Sequence, residues 1–79
     1  VRPRYPLGSR LRGEEGTVEL TVTVSAAGRA IDVEVTQSSG YRALDRAAVQ
    51  AAHQARYLTP AGATRAGQAT FAVRFRLEE

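Results

Sequence analysis

The sequence predicts an α+β domain: a two-layer sandwich of β–β–α–β order, with one long helix on one face of a three-stranded antiparallel or mixed sheet. Three observations carry this expectation. Three runs alternate apolar and polar residues with period two, the pattern of half-buried strands. One stretch between the second and third runs repeats small apolar residues with helical period. Each strand therefore has one face to bury and the helix one stripe, and packing them against each other is the economical solution.

Residues 1–16, VRPRYPLGSRLRGEEG, hold two of the three prolines and three glycines. They read as an extended lead-in with a short helical turn around Pro6 to Leu11, and residues 17–79 as the folded domain. In TVELTVTV, Val18, Leu20, Val22 and Val24 point one way, and Thr17, Glu19, Thr21 and Thr23 the other. SAAGR is a short loop in which Gly28 is free to take positive φ. AIDVEV resumes the alternation, with Ile31, Val33 and Val35 inward and Asp32 and Glu34 outward, so 17–36 is a hairpin.

The helix lies within QSSGYRALDRAAVQAAHQARY, residues 37–57, with Ser39 or Gly40 at its N-cap and Pro60 as its stop. Leu44, Ala48, Ala51 and Ala55 form its apolar stripe, widened by Ala47, Ala52 and Tyr41. Asp45 near its start and Arg56 near its end suit the helix dipole. A loop, AGATRAGQ, leads to TFAVRFRL, where Phe71, Val73, Phe75 and Leu77 point inward and Thr70, Ala72, Arg74 and Arg76 outward. A right-handed crossover puts the third strand beside the first and antiparallel to it. The sheet order is then 2-1-3, with one face open to solvent and the third strand at an edge.

Composition narrows the function. Seventy-nine residues make one small domain, and with no cysteine neither a disulfide nor a thiolate metal site can staple it. Eleven arginines and no lysine against eight acids give +3, an ordinary magnitude for a soluble domain. No run approaches the ~18 apolar residues of a membrane span. The chain opens on Val1, which suggests a processed or excised piece with any anchor upstream.

Candidate chemistry is sparse. His53 stands opposite the Leu44 stripe and reads as solvated helix surface, and one histidine without cysteine makes no common structural zinc site. Ser38 and Ser39 have no visible base partner and read as hinge and cap. Asp32 and Glu34 read as cross-strand partners for arginines rather than as paired catalytic carboxylates. GSRLRG and GATRAG lack the spacing of a phosphate loop. The expectation is no enzyme, no cofactor and no metal. Arg2, Arg4, Arg10, Arg12, Arg74 and Arg76 could meet phosphates, but no lysine, GXXG clamp or exposed strand aromatic accompanies them, so nucleic acid is not the expected partner.

Taken in order, several short pieces resemble one family. These are Tyr5-Pro6, Gly13-Glu14-Glu15-Gly16 before an alternating strand, Gly28-Arg29, and Ser38-Ser39-Gly40. Leu44-Asp45 with Ala47-Ala48-Val49, Arg56-Tyr57, Pro60-Ala61, Gly67 and Phe75-Arg76-Leu77 complete the series. The chain is similar over essentially its whole length to the C-terminal domain of TonB, the periplasmic energy transducer of Gram-negative envelopes. It departs from the pattern at Ala55, where the family usually has an aromatic, and in having both Leu58 and Thr59 before the proline.

The resemblance implies a periplasmic adaptor, the C-terminal domain of an inner-membrane-anchored protein. Such a protein works with a proton-driven motor complex of the ExbB/ExbD type. Its partner is a short peptide, the TonB box, at the inner end of outer-membrane receptors for siderophores, haem or cobalamin. The alternative is a related envelope domain of the TolA type. The edge strand supplies the expected contact: Thr70, Phe71, Ala72, Val73, Arg74, Phe75, Arg76 and Leu77 accept the peptide by strand addition, and Tyr5 and Pro6 help hold it. An open edge also predicts a monomer in balance with a weak homodimer.

Overall fold

The computed structural model describes residues 3–58 and 67–77. The elements in chain order are α1 (Leu7–Leu11), β1 (Gly16–Val24), β2 (Ala30–Gln37), α2 (Arg42–Gln54) and β3 (Gly67–Phe75). The sheet order is β2-β1-β3, both pairings antiparallel, as the alternation and crossover arguments require. β1 is central because the hairpin sets β2 on one side of it and the crossover sets β3 on the other, and its Val18, Leu20, Val22 and Val24 are all buried. Leu44, Ala48 and Ala52 of α2 close over them, with Val73 and Phe75 of β3 completing the core. Alanines let the helix backbone lie close to the sheet, which suits a core with few aromatics.

Several local expectations need correction. Ile31 was expected inward but is 60% exposed. The register explains it: Thr23 faces Asp32 and Val24 faces Ala30, so Ile31 is the extra residue of a β-bulge, and Ala30 takes the inward place beside the core. The helix stripe is completed by Ala52, with Ala51 and Ala55 only half-buried. The N-cap is Tyr41, not Ser39 or Gly40. The two serines serve the helix differently, through Asp45 one turn in. Ser38 Oγ and Ser39 Oγ both donate to the Asp45 carboxylate, and the Ser39 N–H donates to it at 2.9 Å. That hinge sits against β1, where a Cβ on Gly16 would come within 2.9 Å of Ser39.

The helix also ends at Gln54, well before Pro60, which lies outside the described residues together with Arg2 and most of the AGATRAGQ loop. What ends it is a strap. Arg56 pairs with Arg29 in an isolated antiparallel bridge, and the Tyr57 N–H donates to the Gly28 carbonyl at 2.8 Å. The Tyr57 hydroxyl turns back to the Ala52 carbonyl at 2.8 Å, satisfying an acceptor in the last helical turn. Gly28 has φ 83°, as expected of it, and a Cβ there would lie 2.3 Å from the Tyr57 oxygen. Finally, Asp32 and Glu34 face Thr23 and Thr21, so threonines rather than arginines are their cross-strand neighbours.

Candidate functional site

β3 is a terminal strand with β1 on one side, and among the described residues no strand lies on the other. It begins at Gly67, three residues before the alternation suggested, because Gly67, Gln68 and Ala69 continue the ladder opposite Val24, Thr23 and Val22. Its register with β1 runs unbroken through nine residues. Arg76 and Leu77, expected within the strand, lie just past its end.

Two contacts fix which backbone groups β3 offers outward. Thr21 and Thr70 hydroxyls are 3.1 Å apart across the strands. That close approach is the mark of a non-hydrogen-bonded antiparallel pair, in which both backbones turn their polar groups away from each other. At the other end, the Leu77 N–H points back to the β1 side, donating to the Glu15 carboxylate at 2.6 Å. Both place the odd-numbered amides of β3 toward β1. Thr70, Ala72 and Arg74 therefore direct their N–H and C=O groups to the open edge, while their side chains stand on the solvent face.

The inward face of β3 is held by two tyrosines. α2 packs over β2 and β1 more than over β3. Tyr57 tilts against Phe71 at 6.2 Å between centroids, and Tyr5 meets Phe75 edge-on at 5.4 Å. Burial is the main influence raising both phenol pKa values, with Glu15 adding to the effect at Tyr5. The Tyr5 hydroxyl donates to the Glu14 carbonyl, and the Arg10 guanidinium lies 6.0 Å above its ring. Pro6, at the N-cap of α1, accepts the Arg10 N–H at 3.0 Å and so sets the turn that returns the lead-in to the sheet. Within that turn Arg12 pairs with Glu14 at 2.9 Å; its hydrogen bond is the leading reason the Glu14 carboxyl is held below its ordinary pKa.

All ten expected site residues fall within the described part, and the fold brings them together at one sheet edge and the lead-in beside it. The sequence reading missed Glu15, whose carboxylate takes the Leu77 amide, and the Arg56–Tyr57 strap. A shallow cleft of about 300 Å³ lies where β1 starts and β3 ends, lined by Glu15, Gly16, Thr17, Arg74, Phe75 and Arg76. Among the described residues no cluster of three or more His, Cys, Asp or Glu could hold a metal, and no helix is long and apolar enough to cross a membrane.

The family of the Gram-negative bacterial TonB protein C-terminal matches residues 1–77. The chain belongs to the TonB C-terminal family. Protein TonB of Vibrio cholerae is 44% identical over 54 residues, covering 68% of this chain and 22% of that protein. Protein tonB2 of Pseudomonas aeruginosa is 51% identical over 49 residues, covering 62% and 18%. Among solved structures, the solution NMR structure of the Pseudomonas aeruginosa TonB CTD superposes with a TM-score of 0.84 at 33% identity, over 100% of this chain and 82% of that one. The Helicobacter pylori TonB-CTD gives 0.73 at 28% identity, over 98% and 71%. This TonB domain spans about a fifth of the length of the curated relatives it matches.

Proposed function

We propose that this domain is the periplasmic adaptor end of a TonB-type energy transducer, a binding module rather than an enzyme. It takes the TonB-box peptide of outer-membrane receptors and so serves uptake of siderophores, haem or cobalamin. The rest of the transducer anchors it in the inner membrane and joins it to an ExbB/ExbD-type motor complex. Two copies can also pair weakly through the open edge.

The observation that carries this reading is the outward row of backbone donors and acceptors at Thr70, Ala72 and Arg74, on an unbulged edge strand. An extended peptide laid there extends the ladder, so backbone hydrogen bonds supply affinity with little demand on sequence. Phe71, Val73, Phe75 and Leu77 contribute the apolar side of the same strand. Tyr5, packed on Phe75, and Pro6 beside it help hold the peptide. Arg74 and Arg76 bias the choice toward acidic peptides.

An NMR titration with TonB-box peptides tests it, with short DNA and RNA as controls. Shifts concentrated in residues 70–77 and around Tyr5 are expected. If peptides leave those amides unmoved while nucleic acid shifts the arginines at physiological salt, the adaptor reading fails and nucleic-acid binding replaces it.

A further inference from the structure

The open face of the sheet carries a charge pattern beside the β3 edge that peptide pairing alone does not use. Arg74 stands opposite Thr17 and Ala72 opposite Glu19, so the row reads arginine at the rim, then alanine at the rim with a carboxylate behind it. Arg74 and Glu19 are both exposed, and neither belongs to an ion pair among the described residues. Glu19 is not loose, however. Thr36, the extra residue of the second β2 bulge, donates its hydroxyl to Glu19 Oε1 at 3.0 Å and lies 3.2 Å from the Glu19 carbonyl. Ala72 offers only a methyl group between that carboxylate and the edge.

Resting on the strand-addition reading above, we infer that the edge selects peptides with an acidic residue and a long basic residue two positions apart. The side chains of an added strand alternate, so every second residue shares the solvent face with Thr70, Ala72 and Arg74. A strand added at the edge lies about 4.8 Å from β3, and the Glu19 backbone is one further spacing behind, with its carboxylate turned toward Thr36 on the β2 side. The residue beside Arg74 is close enough for a direct carboxylate–guanidinium contact. The residue beside Ala72 faces no competing side chain, and a Lys or Arg stem can lie across the alanine methyl to bring its cation toward Glu19, whose carboxylate completes the contact by turning from Thr36. Two positions along, Thr70 is already bonded to Thr21 and favours a small polar neighbour. The pattern holds for either strand direction; only the order of acid and base along the peptide changes.

The test uses the domain with three short extended peptides: acid–x–base, base–x–acid, and a neutral peptide with Gln and Asn at those places. Affinity is read from the amide shifts of Thr70, Ala72 and Arg74. One charged order is expected to bind about fivefold more tightly than the neutral peptide at low salt, with the advantage fading as salt rises. The double variant Arg74→Glu with Glu19→Arg should transfer the preference to the opposite order. Glu34→Arg, the same substitution as at Glu19 but on the far strand, should leave it in place. If all three peptides shift the edge amides with equal affinity, strand addition stands and the charge pattern is refuted. A preference that survives unchanged in the double variant refutes it too. If no peptide moves those amides, the strand-addition reading itself falls, and this inference falls with it.

Discussion

The two outer strands of this sheet are treated oppositely. β2 is bulged at both ends, by Ile31 and by Thr36, and the Arg56–Tyr57 strap bridges Gly28 and Arg29 immediately before it. β3 has nine residues in continuous register, no bulge, and no strap among the described residues. Bulges and covering segments are the usual means by which an edge is kept from pairing with another chain. Among the described residues β3 has neither and keeps only exposed arginines. The contrast argues that the sheet is built to grow on one side. It also explains why Ile31 can be tolerated in the open: the bulge that exposes it makes its edge a poor template.

Proline substitution tests this contrast with the largest expected effect. At Val73, whose amide faces β1, a proline removes a ladder bond in a buried strand and should cost about 3 kcal/mol or more, enough to unfold a small domain. At Ala72 the amide faces outward, so a proline there should leave the fold standing. It should nonetheless weaken peptide binding at least about tenfold, by removing a donor and placing a ring at the docking line. Circular dichroism melts and peptide titrations of the two variants separate the effects. Equal unfolding in both would show that the amide parity of β3 has been assigned backwards.

The guard on β2 depends on Gly28. Its left-handed φ of 83° and the Tyr57 oxygen 2.3 Å from a notional Cβ leave no place for alanine. Gly28→Ala should therefore cost about 2–3 kcal/mol through strain and displacement of the strap. With the strap displaced, the start of β2 becomes accessible and self-association should rise in sedimentation velocity. A Gly28→Ala protein that melts like the parent would mean the strap does not guard that edge.

The joint between β2 and α2 is expected to respond to pH through Asp45. Burial pushes the Asp45 carboxyl up, but the Ser38 hydroxyl and the Ser39 amide and hydroxyl together outweigh it, so the net pKa is lowered. A depressed folded pKa favours the folded state above the unfolded value of about 3.9, and that contribution fades as pH falls through the folded value. Asp45→Asn should thus cost about 1 kcal/mol at neutral pH, a figure that allows for solvent screening, and nothing in strong acid. Melts of the two proteins at pH 7 and pH 2 check this, and a constant difference between them across that range would contradict it.

How much of this was legible in the sequence follows from what each feature depends on. Period-two alternation is local, so Val18 to Val24 and Phe71 to Phe75 revealed their faces without any knowledge of neighbours. A bulge is a property of two strands in register, and nothing in AIDVEV marks Ile31 as supernumerary. The strap was hidden for the same reason. Arg56 and Tyr57 continue the helical pattern well, and only their bridge to Arg29 and Gly28 draws them out of it. The open edge was read from topology, whereas the choice of outward amides required the Thr21–Thr70 contact, which no periodicity encodes.

Tyr57 sharpens the comparison most finely, because it touches both guarded and open sides. Its amide bonds Gly28 just ahead of β2 and its hydroxyl bonds Ala52 of α2, while its ring leans on Phe71 of β3. Tyr57→Phe keeps the ring and loses only the part-buried bond to the carbonyl of Ala52 in the last helical turn. The expected cost is about 0.5–1 kcal/mol, seen as faster amide exchange at Tyr57 and Ala55 with peptide affinity at β3 unchanged. Tyr57→Ala removes the ring as well and exposes the inward side of Phe71, so it should loosen β3 and weaken peptide binding too. If the phenylalanine variant already lowers peptide affinity, the two edges are coupled through the hydroxyl and cannot be regarded as independent. If neither variant does, the ring contact with Phe71 contributes nothing to the open edge, and β3 is held in place by its ladder with β1 and by Tyr5 alone.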